Sequence, residues 1–450
     1  MHTWTPQSWR TKSAAQQPTY KDSDALATAS ARLAKLPPLV TAWEIEALKQ
    51  QLAQATAGRR FILQGGDCAE RFDDCDAETI TSKLKILLQM SLVLTQGSKV
   101  PVTRIGRIAG QYAKPRSEDL ETRNGSQLPS YRGDVVNRPA FTPEDREPDP
   151  GLMLRGYECA ALTLNYLRAL VRGGFADLHH PENWDLDFVK HSPLAGEYRR
   201  IAVSVGDSLR FMENVLGVHT GEMSWVEFFT SHEGLLLHYE EAQTRPTGTA
   251  GRHYNMSTHF PWIGARTLAP DGAHIEYFRG ISNPIGVKIA ANTPPEVVRR
   301  LLDVLHPNSE PGRLTFIHRF GKDKIADALP KLIELVKESG KPVLFSCDPM
   351  HGNTRSTSDG TKTRDFRDIL GELDQAFDIH SGNGSRLGGV HIELTGEDVT
   401  ECTGGARGLT EFDLKRAYKT EVDPRLNYEQ SLEIAMLISK KMEAGSSASR

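Results

Sequence analysis

IGVKIAANTPPEVVRRLLDVLHPNSEPGRLTFIHRFGKDKIADALPKLIELVKESGKPVLFS, residues 285–346, holds three short apolar runs separated by two helical patterns. The runs IGVKIA (285–290), RLTFIHR (313–319) and PVLFS (342–346) have strand length and strand composition. Between them, PPEVVRRLLDVLH and DKIADALPKLIELVKESG repeat apolar residues at helical spacing; the first opens on proline and the second closes on glycine. Strand, helix, strand, helix, strand in this order predicts parallel strands joined by right-handed crossovers.

Outward from this stretch the same rhythm recurs. RFILQ (60–64), PVTRIGRI (101–108), WVEFF (225–229), THFPWI (258–263) and GGVHIEL (388–394) bring the runs to eight, with ETITSKLKILLQMSLVLTQG and RDFRDILGELDQAF among the helices between them. Eight repeats predict an α/β fold, a closed (β/α)₈ TIM barrel, with a doubly wound open sheet as the competing topology. Ahead of the barrel, residues 1–58 form an extension with two capped helical patterns, DSDALATASARLAKL and TAWEIEALKQQLAQATAG. The barrel is expected over 59–440, and 441–450 as a flexible tail. Two segments exceed a minimal barrel: a polar, proline-rich loop at 124–150 and a helical insertion after the second strand at about 175–224.

Composition narrows the function classes. The 450 residues are 38% hydrophobic and 25% charged with a net charge of -4, so no global basicity points to nucleic acid or an anionic membrane. No apolar stretch approaches the roughly 20 residues that span a bilayer, and the N-terminus lacks a secretory apolar core. Five cysteines without CxxC pairs fit neither a disulfide framework nor a zinc knuckle. A cytoplasmic enzyme acting on small molecules fits these limits.

In a (β/α)₈ barrel the chemistry sits where the strands end. Reading past each strand gives Cys68, then Arg107 with Lys114, Arg116 and Ser117, then Arg266, Lys288, Arg319, His351, Glu393 and Asp423. A thiol, an imidazole and two carboxylates (Cys68, His351, Glu393, Asp423) suit a borderline divalent metal. The remaining lysines and arginines form a cationic lining that suits multiply charged anions, above all phosphates. Taken singly, each signal has a plainer reading: a structural cysteine, an outward glutamate, solvated arginines. Lys288 inside GVKIA is open between a phosphate clamp and a Schiff-base nucleophile. In SCDPMHGNT (346–354), Asp348, Pro349 and Gly352 read as the residues that bend the chain, and His351 as the side chain the bend delivers.

GGDCAERF, RIGRIAGQYAKPRS, WIGARTL, NPIGVKIA, HRFGKDKI, SCDPMHGNT, GGVHIELTGEDVTEC and DPRLNYEQSLE, spread over residues 4–440, together resemble the motifs of class II, or plant-type, 3-deoxy-D-arabino-heptulosonate 7-phosphate (DAHP) synthase. That family is a transferase condensing phosphoenolpyruvate with erythrose 4-phosphate in the first step of the shikimate pathway to aromatic amino acids. The resemblance implies that Cys68, His351, Glu393 and Asp423 bind an essential Mn²⁺ or Co²⁺. It also implies that Arg107 and Lys114 face the phosphoenolpyruvate carboxylate, that Arg266, Lys288 and Arg319 hold its phosphate, and that Arg116 and Ser117 receive the erythrose 4-phosphate phosphate. Lys114 and His351 are the candidate catalytic proton carriers. Ala265 and Val422 depart from residues found in some relatives, an acid beside the phosphate-binding arginine and a second cysteine beside the metal.

The resemblance further implies that residues 1–58 and 175–224 make subunit contacts, in a homodimer or homotetramer, and bind an aromatic amino acid effector, with tryptophan favoured. Two other classes remain: a non-catalytic phosphometabolite sensor on the same barrel, and a metal-independent Schiff-base aldolase using Lys288.

Overall fold

The computed structural model describes residues 3–123, 125–175, 195–201, 203, 227–248 and 251–447. Among these residues eight strands form one sheet: β1 Phe61–Gly66, β2 Val102–Arg107, β3 Phe228–Thr230, β4 Trp262–Ile263, β5 Ile285–Ala290, β6 Leu314–Arg319, β7 Val343–Cys347 and β8 Leu387–Glu393. Their order is β3-β2-β1-β8-β7-β6-β5-β4, and every pairing is parallel. The two ends of this series meet just past β3. The Trp262 N–H donates to the His232 carbonyl at 3.1 Å and the Gly234 N–H to the Trp262 carbonyl at 3.0 Å. The sheet therefore closes on itself, as the (β/α)₈ reading expects and an open doubly wound sheet would not.

The strands are shorter or shifted where local chemistry intervenes. THFPWI contributes only Trp262–Ile263, because Pro261 has no N–H to give a ladder. In WVEFF, residues 225 and 226 lie outside the described residues, and the strand runs on to Thr230.

Alternation along each strand sorts side chains between two environments. In β8, Val390 and Ile392 join the outer hydrophobic core against the helices, while His391 and Glu393 have polar partners inside the barrel. In β5, Ile285, Val287 and Ile289 join the same outer core, and Lys288 reaches the mouth.

At the opposite end, the extension does more than precede the barrel. Helices α1 (Ser23–Lys35) and α2 (Ala42–Thr56) begin at Asp22 and Thr41, the latter in a reciprocal capping box with Glu44. Leu48, Leu52 and Ala55 of α2 are buried together with Ile62, Ile105, Phe229, Phe260 and Leu344, so α2 plugs the base of the barrel. A boundary at residue 58 thus runs through a packed interface.

The insertion expected at 175–224 lies mostly outside the described residues. At the other terminus, helix Tyr428–Ser447 continues into the stretch expected to be a tail. Lys441 holds it there by ion pairs of 2.7 Å to Asp374 and 2.9 Å to Asp378.

Candidate active site

Strand register brings the first three mouth residues to one level. Gly66 at the end of β1 is paired with Arg107 on one side and Glu393 on the other. A Cβ at Gly66 would sit 2.6 Å from the Arg107 carbonyl, and its φ of +142° suits glycine, so the chain can turn here to present Asp67 and Cys68. Asp423 arrives from far along the chain. The Leu426 N–H donates to the Glu393 carbonyl at 3.0 Å and the Thr395 N–H to the Leu426 carbonyl at 2.9 Å, which ties the 423–427 segment beside the end of β8.

Cys68, Glu393 and Asp423 each offer a ligand atom, all within 4.8 Å of one another. His351 adjoins them, its Nε2 lying 3.0 Å from Glu393 Oε1. The Lys114 ammonium reaches into the same group, 2.5 Å from Cys68 Sγ, 2.7 Å from Asp423 Oδ2 and 3.9 Å from Glu393 Oε1. Arg107 donates to Glu393 Oε1 at 3.0 Å and to the Asp67 and Cys68 carbonyls, with its Nη1 2.7 Å from His391 Nε2. Four of the residues predicted for the metal and two predicted for the phosphoenolpyruvate carboxylate thus share one small volume.

The SCDPMHGNT loop carries both readings of its residues. Asp348 Oδ1 accepts from the Met350 and His351 N–H groups at 3.0 and 3.2 Å, which is turn chemistry. Its Oδ2 lies 2.7 Å from His351 Nδ1 and accepts from Lys288 Nζ at 2.8 Å. Engaging Nδ1 leaves Nε2 directed at Glu393, the arrangement that orients a ligating imidazole.

The phosphate-binding candidates divide into two groups. Lys288 and Arg319 lie on the His351 side, Arg319 donating to the His351 carbonyl at 3.0 Å. Arg116 and Ser117 line an open cavity of ≈ 270 Å³ with Lys114, Lys362 and Asp423. Arg266 lines that cavity too and donates to Ser117 Oγ at 2.8 Å. It stands between the groups, since its charge, with those of Lys288, Lys114 and Arg107, also bears on Glu233.

Several residues at the mouth escaped the strand-end reading. Glu233, just past β3, is buried with one carboxylate oxygen unpartnered among the described residues, and burial raises its pKa against the four neighbouring cations. Arg364, fully buried, pairs with Glu393 Oε2 at 2.8 Å, and Lys362 donates to Asp423 Oδ1 at 2.9 Å. These two come from a hairpin, Thr354–Ser356 with Lys362–Arg364, inside a βα connection where no sequence signal marks them. Glu233 stands in HEG four residues past the end of the third run, so a strand-end reading carried that far would have met it.

Electrostatics decides the protonation of the set. Burial works against ionisation of Glu393, yet the neighbouring Arg364, Lys114 and Arg107 cations hold its pKa well below the usual range. Asp423 behaves likewise through Lys114, and Lys114 is raised against burial by Asp423, Cys68 and Glu393. Burial lowers His351 despite Asp348 and Glu393, leaving a neutral imidazole. Cys68 is pushed up to about 12 by burial and then by Glu393. Two ionised carboxylates, a neutral imidazole with an oriented Nε2 and a thiol that a cation would ionise make a donor set that fits a borderline divalent metal.

Residues 4–439 match the Class-II DAHP synthetase family. The chain belongs to that family. Among the curated relatives of this DAHP synthetase family chain, phospho-2-dehydro-3-deoxyheptonate aldolases of Neurospora crassa and Streptomyces coelicolor are each 49% identical. The first aligns over 97% of this chain and 93% of its own length, the second over 96% of both. The AroG protein of the same name from Mycolicibacterium smegmatis is 44% identical over 96% of this chain and 93% of its own length. A solved phospho-2-dehydro-3-deoxyheptonate aldolase from Francisella tularensis aligns at 15% identity with a TM-score of 0.43, over 92% of this chain and 96% of that one.

Proposed function

We propose that this chain is a DAHP synthase, a metal-dependent transferase that condenses phosphoenolpyruvate with erythrose 4-phosphate and releases phosphate, opening the shikimate pathway. The observation that carries the reading is the convergence of Cys68, Glu393 and Asp423 within 4.8 Å, with His351 beside them and cationic groups on both flanks. Cys68, His351, Glu393 and Asp423 would hold the divalent ion, Mn²⁺ or Co²⁺. When bound, it supplies Lewis acidity toward the aldehyde oxygen of erythrose 4-phosphate.

The rest of the work falls to the chain itself. Lys288, Arg319 and Arg266 take the phosphate of phosphoenolpyruvate, and Arg107 with Lys114 its carboxylate. Arg116 and Ser117 take the phosphate of the sugar. Clamping two anions that repel each other brings carbon 3 of one against the aldehyde of the other and supplies orientation that free solution lacks. Lys114, kept protonated by Asp423, Cys68 and Glu393, donates toward the oxygen on which charge develops. The unpartnered carboxylate oxygen of Glu233 is suited to accept a proton from the water that captures carbon 2. With Nε2 given to the ion, His351 carries a proton in this scheme only through Nδ1 and Asp348. The ion pair of Lys288 with Asp348 favours the clamp over a Schiff base.

The test is consumption of phosphoenolpyruvate with erythrose 4-phosphate after EDTA treatment, with and without added Mn²⁺. Activity is expected to vanish with chelation and return with metal; no metal-dependent loss of phosphoenolpyruvate overturns the reading. Borohydride trapping of a substrate adduct at Lys288 would instead select the Schiff-base aldolase.

An aromatic amino acid effector, tryptophan first, belongs to the same proposal. A cavity of ≈ 240 Å³ between the extension and helix Gly151–Arg172, walled by Leu164, Leu167, Phe228 and Phe229 beside Glu44 and Arg168, supports it, since an amino acid offers an apolar body and two charges. Activity unchanged by tryptophan, phenylalanine and tyrosine, singly and mixed, removes that part. A homodimer or homotetramer in the cytoplasm completes the proposal; among the described residues no helix is long and apolar enough to cross a membrane.

A further inference from the structure

On the helix side of the wall formed by β6 and β7, a second cluster faces away from the mouth. His318 and Cys347 are direct partners on these strands, and helix Phe366–Gly382 sets Glu372 against them. One ligand atom from each lies within 4.8 Å of the other two, and all three residues have 0% exposure. Among the described residues, neither ring nitrogen of His318 has a hydrogen-bond partner. A buried imidazole with two unmet nitrogens is rare, because burial strips water without replacing it.

The surroundings are those of a ligand set. His380 packs with its ring 5.7 Å from that of His318; its Nδ1 lies 3.0 Å from Ser385 Oγ, and its Nε2 has no hydrogen-bond partner among the described residues. Outer partners on one ring nitrogen and on a carboxylate are how metal ligands are commonly held. Glu372 is held in this way: Oε1 accepts from the Phe320 and Gly321 N–H groups, both at 2.9 Å, and Oε2 from Asn353 Nδ2 at 2.7 Å. Burial pushes the Glu372 carboxyl up to about 8 and the Cys347 thiol well up, so both acids keep their protons until a cation arrives.

We propose that His318, Cys347 and Glu372, completed by His380, form a second metal site that takes one divalent transition ion of the zinc class. Two neutral imidazoles, a thiolate and a carboxylate balance the charge of a dication in a dry pocket, and binding releases one proton from Sγ and one from the carboxyl. The site would tie two loops together, because Glu372 grips the residues after Arg319 and Asn353 follows His351. It rests on its own residues and not on the catalytic reading of the mouth.

Cobalt(II) alone is the probe, added to chelator-treated full-length protein, with thiolate-to-cobalt absorption and bound cobalt per chain as readouts. Wild-type protein is expected to bind two ions, Cys68→Ser and Cys347→Ser one each with a residual thiolate band, and the double variant to show no band. His318→Gln, checked for folding by circular dichroism, should lose one ion where Cys347→Ser proves unstable. The proposal is overturned if Cys347→Ser and His318→Gln bind as much cobalt as wild type, with the same band, while Cys68→Ser abolishes it. If Cys68→Ser changes nothing while Cys347→Ser removes the band, the mouth reading fails and this one stands.

Discussion

The base and the mouth of the barrel are built from the same strands and are opposite in chemistry. At the base, Leu48, Leu52 and Ala55 of α2 close the interior against Ile62, Ile105, Phe229, Phe260 and Leu344. At the mouth, Lys114, Arg107, Glu393 and Asp423 crowd charge around Cys68 and His351, with Glu393 itself at 0% exposure. Apolar burial at one end stabilises the fold, whereas packing ionised groups together at the other opposes it unless each finds a partner. The base therefore holds the strands in register so that the mouth can keep a charged constellation ready for anions.

The comparison breaks most sharply if the mouth proves to be structural. Cys68→Ser should lower kcat/KM for phosphoenolpyruvate by about 10³-fold, the scale of losing a group that holds transition-state charge, while the urea midpoint stays near wild type. An equal loss of stability would place Cys68 with the core. The reverse experiment is Leu52→Ala at the base. It should cost about 2–5 kcal/mol in urea unfolding, the range for a buried leucine cavity, with kcat of the folded protein unchanged.

Asp348→Asn sharpens the picture within the mouth. It keeps the turn but weakens the hold on His351 Nδ1 and removes the charge opposite Lys288. Metal affinity, read by competition with a chelating dye, should fall about 10–100-fold, as for other outer partners of ligating histidines.

A pH effect follows from Lys288, whose pKa is lowered to about 8 by burial, against the pull of Asp348. A base loses its charge as pH rises through its pKa. With the cation needed to clamp phosphate, kcat/KM should hold below pH 8 and fall toward tenfold per unit above it, since that ratio reports the free enzyme. A flat profile from pH 7 to 10 excludes Lys288 as the clamp. The smallest effect is expected from Ser117→Ala, which removes the acceptor of Arg266. KM for erythrose 4-phosphate should rise about threefold, the scale of one exposed hydrogen bond, with KM for phosphoenolpyruvate unchanged.

Much of this was legible before any coordinates. Strands and helices announce themselves by local periodicity, and the eight runs in order imply both the ring and its active end. Cys68, Arg107, Lys114, His351 and Glu393 lie at or just past strand ends, so one rule found them all. Glu233 was missed because the third run was read as ending at 229, one residue before β3 ends. Arg364 was missed because a hairpin deep in a connection, not a strand, delivers it to Glu393.

What the sequence determined by itself is the alternation of elements and the choice of residues at the strand ends, because both depend on neighbours a few positions away. Only the tertiary structure decided that α2 stoppers the barrel, that Asp348 serves the turn, His351 and Lys288 at once, and that His318 turns its back on the mouth to meet Cys347 and Glu372. Those outcomes depend on which way a side chain points at a strand and on which distant segment closes over it. Local pattern carries neither, since both are settled by packing the whole chain.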